Sequence, residues 1–144
     1  MPYVDIRLVG TALTPAQRNA LLGGTTELMV TVMGKRREVT VVSIQQYAGE
    51  NWSVGGNALR QQEAPGASVE IKVTQGTNTE REKAAMIAET TAMLKNLLGT
   101  TQTANYVVIH EIAADAWGYD GLTQAHRKLS GEIRTEAVNP EMDH

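Results

Sequence analysis

The chain has no cysteine and no phenylalanine, and only four prolines among its 144 residues. The missing thiols exclude disulfides, thiolate nucleophiles and cysteine-based metal sites, and they suit a reducing compartment. Also missing are any run of eighteen apolar residues and any basic-then-apolar leader, so neither a membrane span nor a secretory signal is expected, and the expected location is cytoplasmic. Positive charge is not in excess: 13 Lys and Arg against 16 Asp and Glu leave a formal net charge of -3. The one dense basic cluster, Lys35-Arg36-Arg37, reads as the last turn of a helix and its exit, where cations suit the helix dipole. Without a basic face to neutralise phosphates, no nucleic-acid partner is expected.

What is present is 42% hydrophobic residues, enough for one ordinary core. Only two tryptophans and four tyrosines supply large rings, and the tryptophans expose a repeat. Trp52 and Trp117 lie 65 residues apart, and the same offset aligns Val4 with Val69, Ile6 with Ile71 and Thr14 with Thr79. It also aligns Thr25-Thr26 with Thr90-Thr91, Gly34 with Gly99, Val42 with Val107, Ile44 with Ile109, Ala48 with Ala113 and Gly56 with Gly121. A repeat that preserves strand, cap, helix stop, strand and aromatic turn in one order is a duplication.

Each copy reads as β-α-β. Val4, Ile6 and Leu8 alternate with Tyr3, Asp5 and Arg7, the period of a strand with one buried face. Thr14-Pro15-Ala16-Gln17 opens a helix with an N-cap, a proline at the first position and a capping box, and Thr79-Glu80-Arg81-Glu82 repeats the device. Leu21, Leu22, Leu28, Met29 and Val32 form a core-facing stripe, echoed by Met86, Ile87, Met93, Leu94 and Leu97. Gly34 and Gly99 end the helices, and Gly23-Gly24 marks either close helix packing or a weak spot. Second strands are expected over Val39 to Gln46 and Asn105 to Ile112.

The helical crossover makes each strand pair parallel and right-handed. The expected fold is therefore α+β: two tandem β-α-β units sharing one four-stranded mixed sheet, with both helices on one face. A single domain over 1–121 would hold repeats 2–56 and 67–121 joined by linker 57–66, followed by a C-terminal extension, 122–144. The extension has a possible short helix through Gln124 to Arg127, and Asn139 to His144 are expected to be mobile. The face opposite the helices carries Asp5, Arg7, Glu70 and Lys72, either solvated or buried between subunits as paired charges.

Pro2 is the candidate catalytic base, the alternative being a common residue after Met that only rigidifies the terminus. If Met1 is removed, Pro2 bears a secondary amine at the edge of a core. An α-amino group titrates near about 7.7–8.0 in model peptides, and burial against apolar neighbours lowers the pKa of an amine by disfavouring its charged form. Such a base can accept a proton from carbon or oxygen at neutral pH. A metal site is not expected, because His110, Glu111 and Asp115 have no second histidine at ligand spacing and His110 and Glu111 point to opposite faces of a strand.

The proline-led strand, Thr-capped helix, second strand and aromatic, Gly-rich turn together resemble the tautomerase superfamily, specifically the 4-oxalocrotonate tautomerase type in its fused, duplicated form. The resemblance runs from Pro2 to about Gly121. It implies a homotrimer, no cofactor, and Pro2 as general base for keto-enol proton transfer on a small carbonyl or carboxylic acid substrate. Relatives that hydrate, dehalogenate or decarboxylate small acids with the same proline, and a non-catalytic assembly protein of this fold, are the alternatives. Trp52 takes the place of the pocket aromatic before its turn, and Trp117 keeps the second turn as a wall or interface. Ala67 stands where the second copy would have its proline, so that half furnishes no base. Where such relatives carry pocket arginines, this sequence has Thr11-Ala12, Gly76-Thr77-Asn78, Val41 and Tyr106. Tyr106 and Asn105 are the expected substitute hydrogen-bond donors, with Arg36, Arg37 and Arg127 as cations that could reach in.

Overall fold

The computed structural model describes residues 2–131; the expectation for Asn139 to His144 and the removal of Met1 lie outside the described residues. The first repeat folds as β1 (Tyr3–Val9), α1 (Pro15–Thr31) and β2 (Val41–Tyr47), then a small hairpin of β3 (Ser53–Val54) and β4 (Asn57–Ala58). The second folds as β5 (Gly66–Thr74), α2 (Glu80–Leu98) and β6 (Tyr106–Ile112), then the hairpin β7 (Gly118–Tyr119) and β8 (Leu122–Thr123). A short helix α3 (Gln124–Leu129) follows.

The sheet order is β2-β1-β5-β6, parallel within each repeat and antiparallel where the repeats meet. Its register obeys the duplication. Tyr3 pairs with Val41 and Ser68 with Tyr106, the same 38-residue step in both halves. At the central seam Asp5 pairs with Glu70, its own counterpart under the 65-residue offset, so a local twofold axis passes through that pair. The two hairpins also share one register, Ser53 to Ala58 and Gly118 to Thr123.

The core lies between the sheet and its two helices. Val4, Ile6 and Leu8 of β1 meet Val69, Ile71 and Val73 of β5, with Leu21 and Met29 of α1 and Met86 and Leu94 of α2 above them. Both helices start as expected. Thr14 Oγ1 accepts from the Gln17 N–H at 3.0 Å while Gln17 Oε1 accepts from the Thr14 N–H at 2.9 Å, and Thr79 and Glu82 reproduce both bonds. Each cap satisfies two helix-end groups that would otherwise need water.

Three local expectations change. Ile87 is 40% exposed, because the buried line on each helix runs at four-residue steps, Leu21-Thr25-Met29 and Met86-Thr90-Leu94, and the threonines replace it. Thr25 is buried without penalty since its hydroxyl donates to the Leu21 carbonyl at 2.7 Å. Lys35-Arg36-Arg37 lies beyond α1, which ends at Thr31, and Arg37 starts a 3₁₀ turn over Arg37–Val39. That turn delays β2 to Val41, two residues later than the apolar pattern indicates.

The glycine pair in α1 divides into two roles. A Cβ on Gly24 would stand 2.9 Å from Met93 Sδ of α2, so Gly24 lets the helices approach, whereas a Cβ on Gly23 meets nothing within 4 Å. Gly23→Ala is therefore expected to stabilise the protein by about 0.5–1 kcal/mol through the lost backbone freedom of glycine. Gly24→Ala gains the same propensity but must displace the thioether, so chemical denaturation should rank Gly23→Ala above it.

Candidate active site

Strand direction decides which residues meet. β1 and β2 run one way and β5 and β6 the other, so one end of the sheet gathers the starts of β1 and β2 with the ends of β5 and β6. Pro2 sits at that end. It is buried, and its carbonyl accepts a hydrogen bond from the Val41 N–H at 3.2 Å, which anchors the proline against the first residue of β2. Next to it, Tyr3 pairs across the seam with Lys72, and the Lys72 ammonium stands 5.8 Å from the Tyr3 ring centroid. Lys72 forms no ion pair among the described residues.

Trp117 belongs to this end too. Its indole N–H donates to Thr74 Oγ1 at 3.1 Å, at the last residue of β5, and the hairpin β7-β8 follows directly. Under that hairpin Arg127 stacks on the Tyr119 ring, 3.8 Å from its centroid, and donates to the Tyr119 carbonyl at 3.0 Å. Arg127 is thus buried as a support of the hairpin. Arg37 pairs with Glu27 at 2.6 Å and Arg36 with Glu38 at 2.9 Å, both on the surface. A backbone hydrogen bond, and then the Arg36 guanidinium, hold the Glu38 carboxyl below its ordinary value.

The opposite end assembles the remaining expected residues around Ala67. Trp52 follows β2, packs edge-to-face on Tyr47 with centroids 5.8 Å apart, and reaches over Gly66, where a Cβ would come within 3.2 Å of its indole nitrogen. Asn105 Oδ1 accepts from the Ala67 N–H at 2.9 Å. Tyr106 lines a cavity of about 490 Å³ with Arg7, Tyr47, Trp52, Ala67 and Ser68. Trp52, Asn105 and Tyr106 were grouped with Pro2 by sequence, and the structure separates them from it by the length of β1. Seven residues at about 3.3 Å each make that roughly 20 Å. The reason is the antiparallel seam: a turn that follows a repeat's second strand lies beside the start of the other repeat, so Trp117 faces the Pro2 end and Trp52 the Ala67 end.

Two features escaped sequence reasoning. Lys72 looked like one member of a mixed-sign face, and only its pairing with Tyr3 brings it to the same end of the sheet as Pro2. That face is a connected network: Ser43 donates to Asp5 at 2.9 Å, Arg7 bonds Glu70 at 2.6 Å and approaches Asp5 at 3.4 Å, and His110 Nε2 lies 2.8 Å from Glu70 Oε1. Glu111 points the other way, to Lys83 of α2 at 2.9 Å, so His110 and Glu111 share no ligand. No described helix is long and apolar enough to cross a membrane.

A family model described as tautomerase enzyme matches the chain twice, over residues 2–62 and 68–127. A probable tautomerase of Dickeya dadantii (strain 3937) is 38% identical over 66 residues, 44% of this chain and 98% of that protein. Such a relative corresponds to one repeat. Among solved structures, native fused 4-OT superposes with a TM-score of 0.77 at 20% identity, covering 86% of this chain and 97% of that one. A fused 4-OT symmetric trimer gives 0.73 at 24% identity over 85% and 96%. These structural likenesses establish the fold, a four-stranded mixed sheet built from two repeated units with the helices packed on it. With both halves matched by one family model and a curated relative sharing more than a third of its residues, the chain belongs to the tautomerase family, as a duplicated member.

Proposed function

We propose that the protein is an isomerase-type enzyme in which Pro2, exposed as a free secondary amine once Met1 is removed, moves a proton between the enol and keto forms of a small carbonyl acid. The observation that carries this reading is the placement of Pro2, buried and tied to Val41 at the sheet end where Lys72 and Trp117 also lie. A base held against apolar neighbours is favoured in its neutral, proton-accepting form. Lys72 is assigned to the substrate carboxylate and, through its charge, to the developing enolate oxygen. Trp117 is assigned to one wall of the pocket. Ala67 supplies no base because its nitrogen is a peptide N–H already donated to Asn105. Each chain then has one catalytic amine, with no cofactor in the mechanism. The test is turnover of a pyruvate-type enol by a chain whose intact mass lacks Met1, set against Pro2→Ala and Lys72→Gln.

The proposed assembly is a homotrimer, in line with the fused 4-OT trimers of similar fold. The open sheet face supports it: Tyr3, Val41, Tyr106 and Val108 expose large apolar groups there around the paired charges. Exposed apolar surface rimmed by polar groups marks an interaction site. Light scattering should return about 47 kDa, three times the 15.6 kDa chain; a monomer mass at micromolar concentration would remove the trimer.

A further inference from the structure

Under the hairpin β7-β8 lies a polar side chain that the mechanism has not used. Gln124, the first residue of α3, is fully buried, and neither its Oε1 nor its Nε2 has a hydrogen-bond partner among the described residues. An amide kept dry with both ends unpaired costs stability, so packing alone would favour an apolar side chain there. The first repeat has one. The 65-residue offset puts Leu59 at the same place, and the backbones match: the Leu59 N–H donates to the Trp52 carbonyl and the Gln124 N–H to the Trp117 carbonyl, each at 2.9 Å. Leu59 is buried as well, without any polar group to satisfy.

The same offset locates what Gln124 faces. A Cβ on Gly10 would come within 2.9 Å of Leu59 Cδ2 and 3.4 Å of Pro65 Cα, so Leu59 and Pro65 stand together at Gly10, while Trp52 lies over Gly66. The step that leads into Ala67 therefore runs under Leu59 and Trp52. Ala67 is the counterpart of Pro2, so the place that leads into Pro2 lies under Gln124 and Trp117. The seam agrees. Tyr3 pairs with Lys72, and two further steps along that register set Thr74, which holds the Trp117 indole at 3.1 Å, opposite the position before Pro2. When the chain starts at Pro2, that place is empty and the proline nitrogen bounds it as a secondary amine.

We propose that Gln124 is a positioning residue for the base: its Oε1 accepts the single N–H of the neutral Pro2 amine and so turns the nitrogen lone pair toward the substrate. This rests on the reading of Pro2 as the base. After Pro2 has taken a proton, the same oxygen bonds the ammonium more strongly, because hydrogen bonds to a charged donor are the stronger kind. Gln124→Leu, which borrows the residue of the first repeat, separates this role from packing. In chains lacking Met1, its melting temperature should be equal to or above that of the unmodified protein, since an unpaired buried amide is gone. Its kcat on a pyruvate-type enol should be about tenfold lower with KM little changed, the loss of one such hydrogen bond. The acid limb of its kcat/KM profile should move to lower pH, because the amine has lost an acceptor that favours its protonated form. Gln124→Met keeps the length without the amide and should give the same three results if leucine disturbs the hairpin. Undiminished turnover in Pro2→Ala would sink the base and this role together. Lost turnover in Pro2→Ala, with kcat and pH profile unchanged in both Gln124 variants, would overturn the Gln124 assignment alone, as would a fall in kcat that only follows a lower melting temperature in both.

Discussion

Pro2→Ala is expected to lower kcat/KM for a pyruvate-type enol by about 100-fold or more, within the roughly 10²–10⁴-fold typical of a positioned general base. Alanine keeps an amine at the chain start, but a primary one, without the ring that sets the backbone angle and aims the nitrogen lone pair. Since the proline carbonyl is tied to Val41 at 3.2 Å, the sheet sets the direction of its ring, and alanine leaves the ring's space unfilled. A chain that retains Met1 should show no turnover, because Pro2 is then a tertiary amide with no basicity. Lys72→Gln has a different signature. Losing a contact made equally to substrate and transition state raises KM, by about tenfold, with a smaller fall in kcat. Stopped-flow or steady-state absorbance of the enol separates the two. Turnover by Pro2→Ala equal to that of the unmodified protein would take Pro2 out of the mechanism, and the chain would then have kept the family's fold without its base.

The second large effect is on folding. Ile71→Ala is expected to cost about 2–5 kcal/mol, the range for removing a large aliphatic side chain from a packed core. Ile71 is fully buried at the middle of β5, pairs with Val4 across the seam and with Ile109 on its other side, and lies in the cluster beneath both helices. The cavity so made is shared by the two repeats and neither can close over it alone. At about 2–4 °C per kcal/mol for a chain of this size, the melting temperature should fall by roughly 10 °C. Ile87→Ala, on the exposed side of α2, should cost under about 1 kcal/mol. Equal losses for the two variants in calorimetry would mean that the buried line has been misplaced on the helix.

Local signals in the chain were strong where they rested on short-range chemistry. Thr14 and Thr79 with Gln17 and Glu82 define both helix starts by groups three residues apart, and alternation marks β1 because a pleated strand exposes every second side chain. The weaker signals were those in which a polar residue does an apolar residue's task. Thr25 and Thr90 sit on the buried line, and nothing in their composition shows that they face inward. The open-face network was equally hidden. Arg7 and Glu70 are 63 residues apart, and their bond exists only because Asp5 and Glu70 sit opposite each other at the seam.

Order along the chain was enough to establish a duplicated β-α-β unit, its caps, its helix crossings and its family likeness, and to single out Pro2 as the candidate base. Those features depend on neighbours within a few residues or on an offset that any alignment of the chain with itself reveals. Tertiary structure alone decided the composition of the two sheet ends. Because β1 and β5 pair antiparallel, Trp117 and Lys72 come to the Pro2 end of the sheet, while Trp52, Asn105 and Tyr106 gather about Ala67. Spacing records how far apart two residues are along the backbone, whereas the direction in which two strands pair is set by which apolar faces can be buried together.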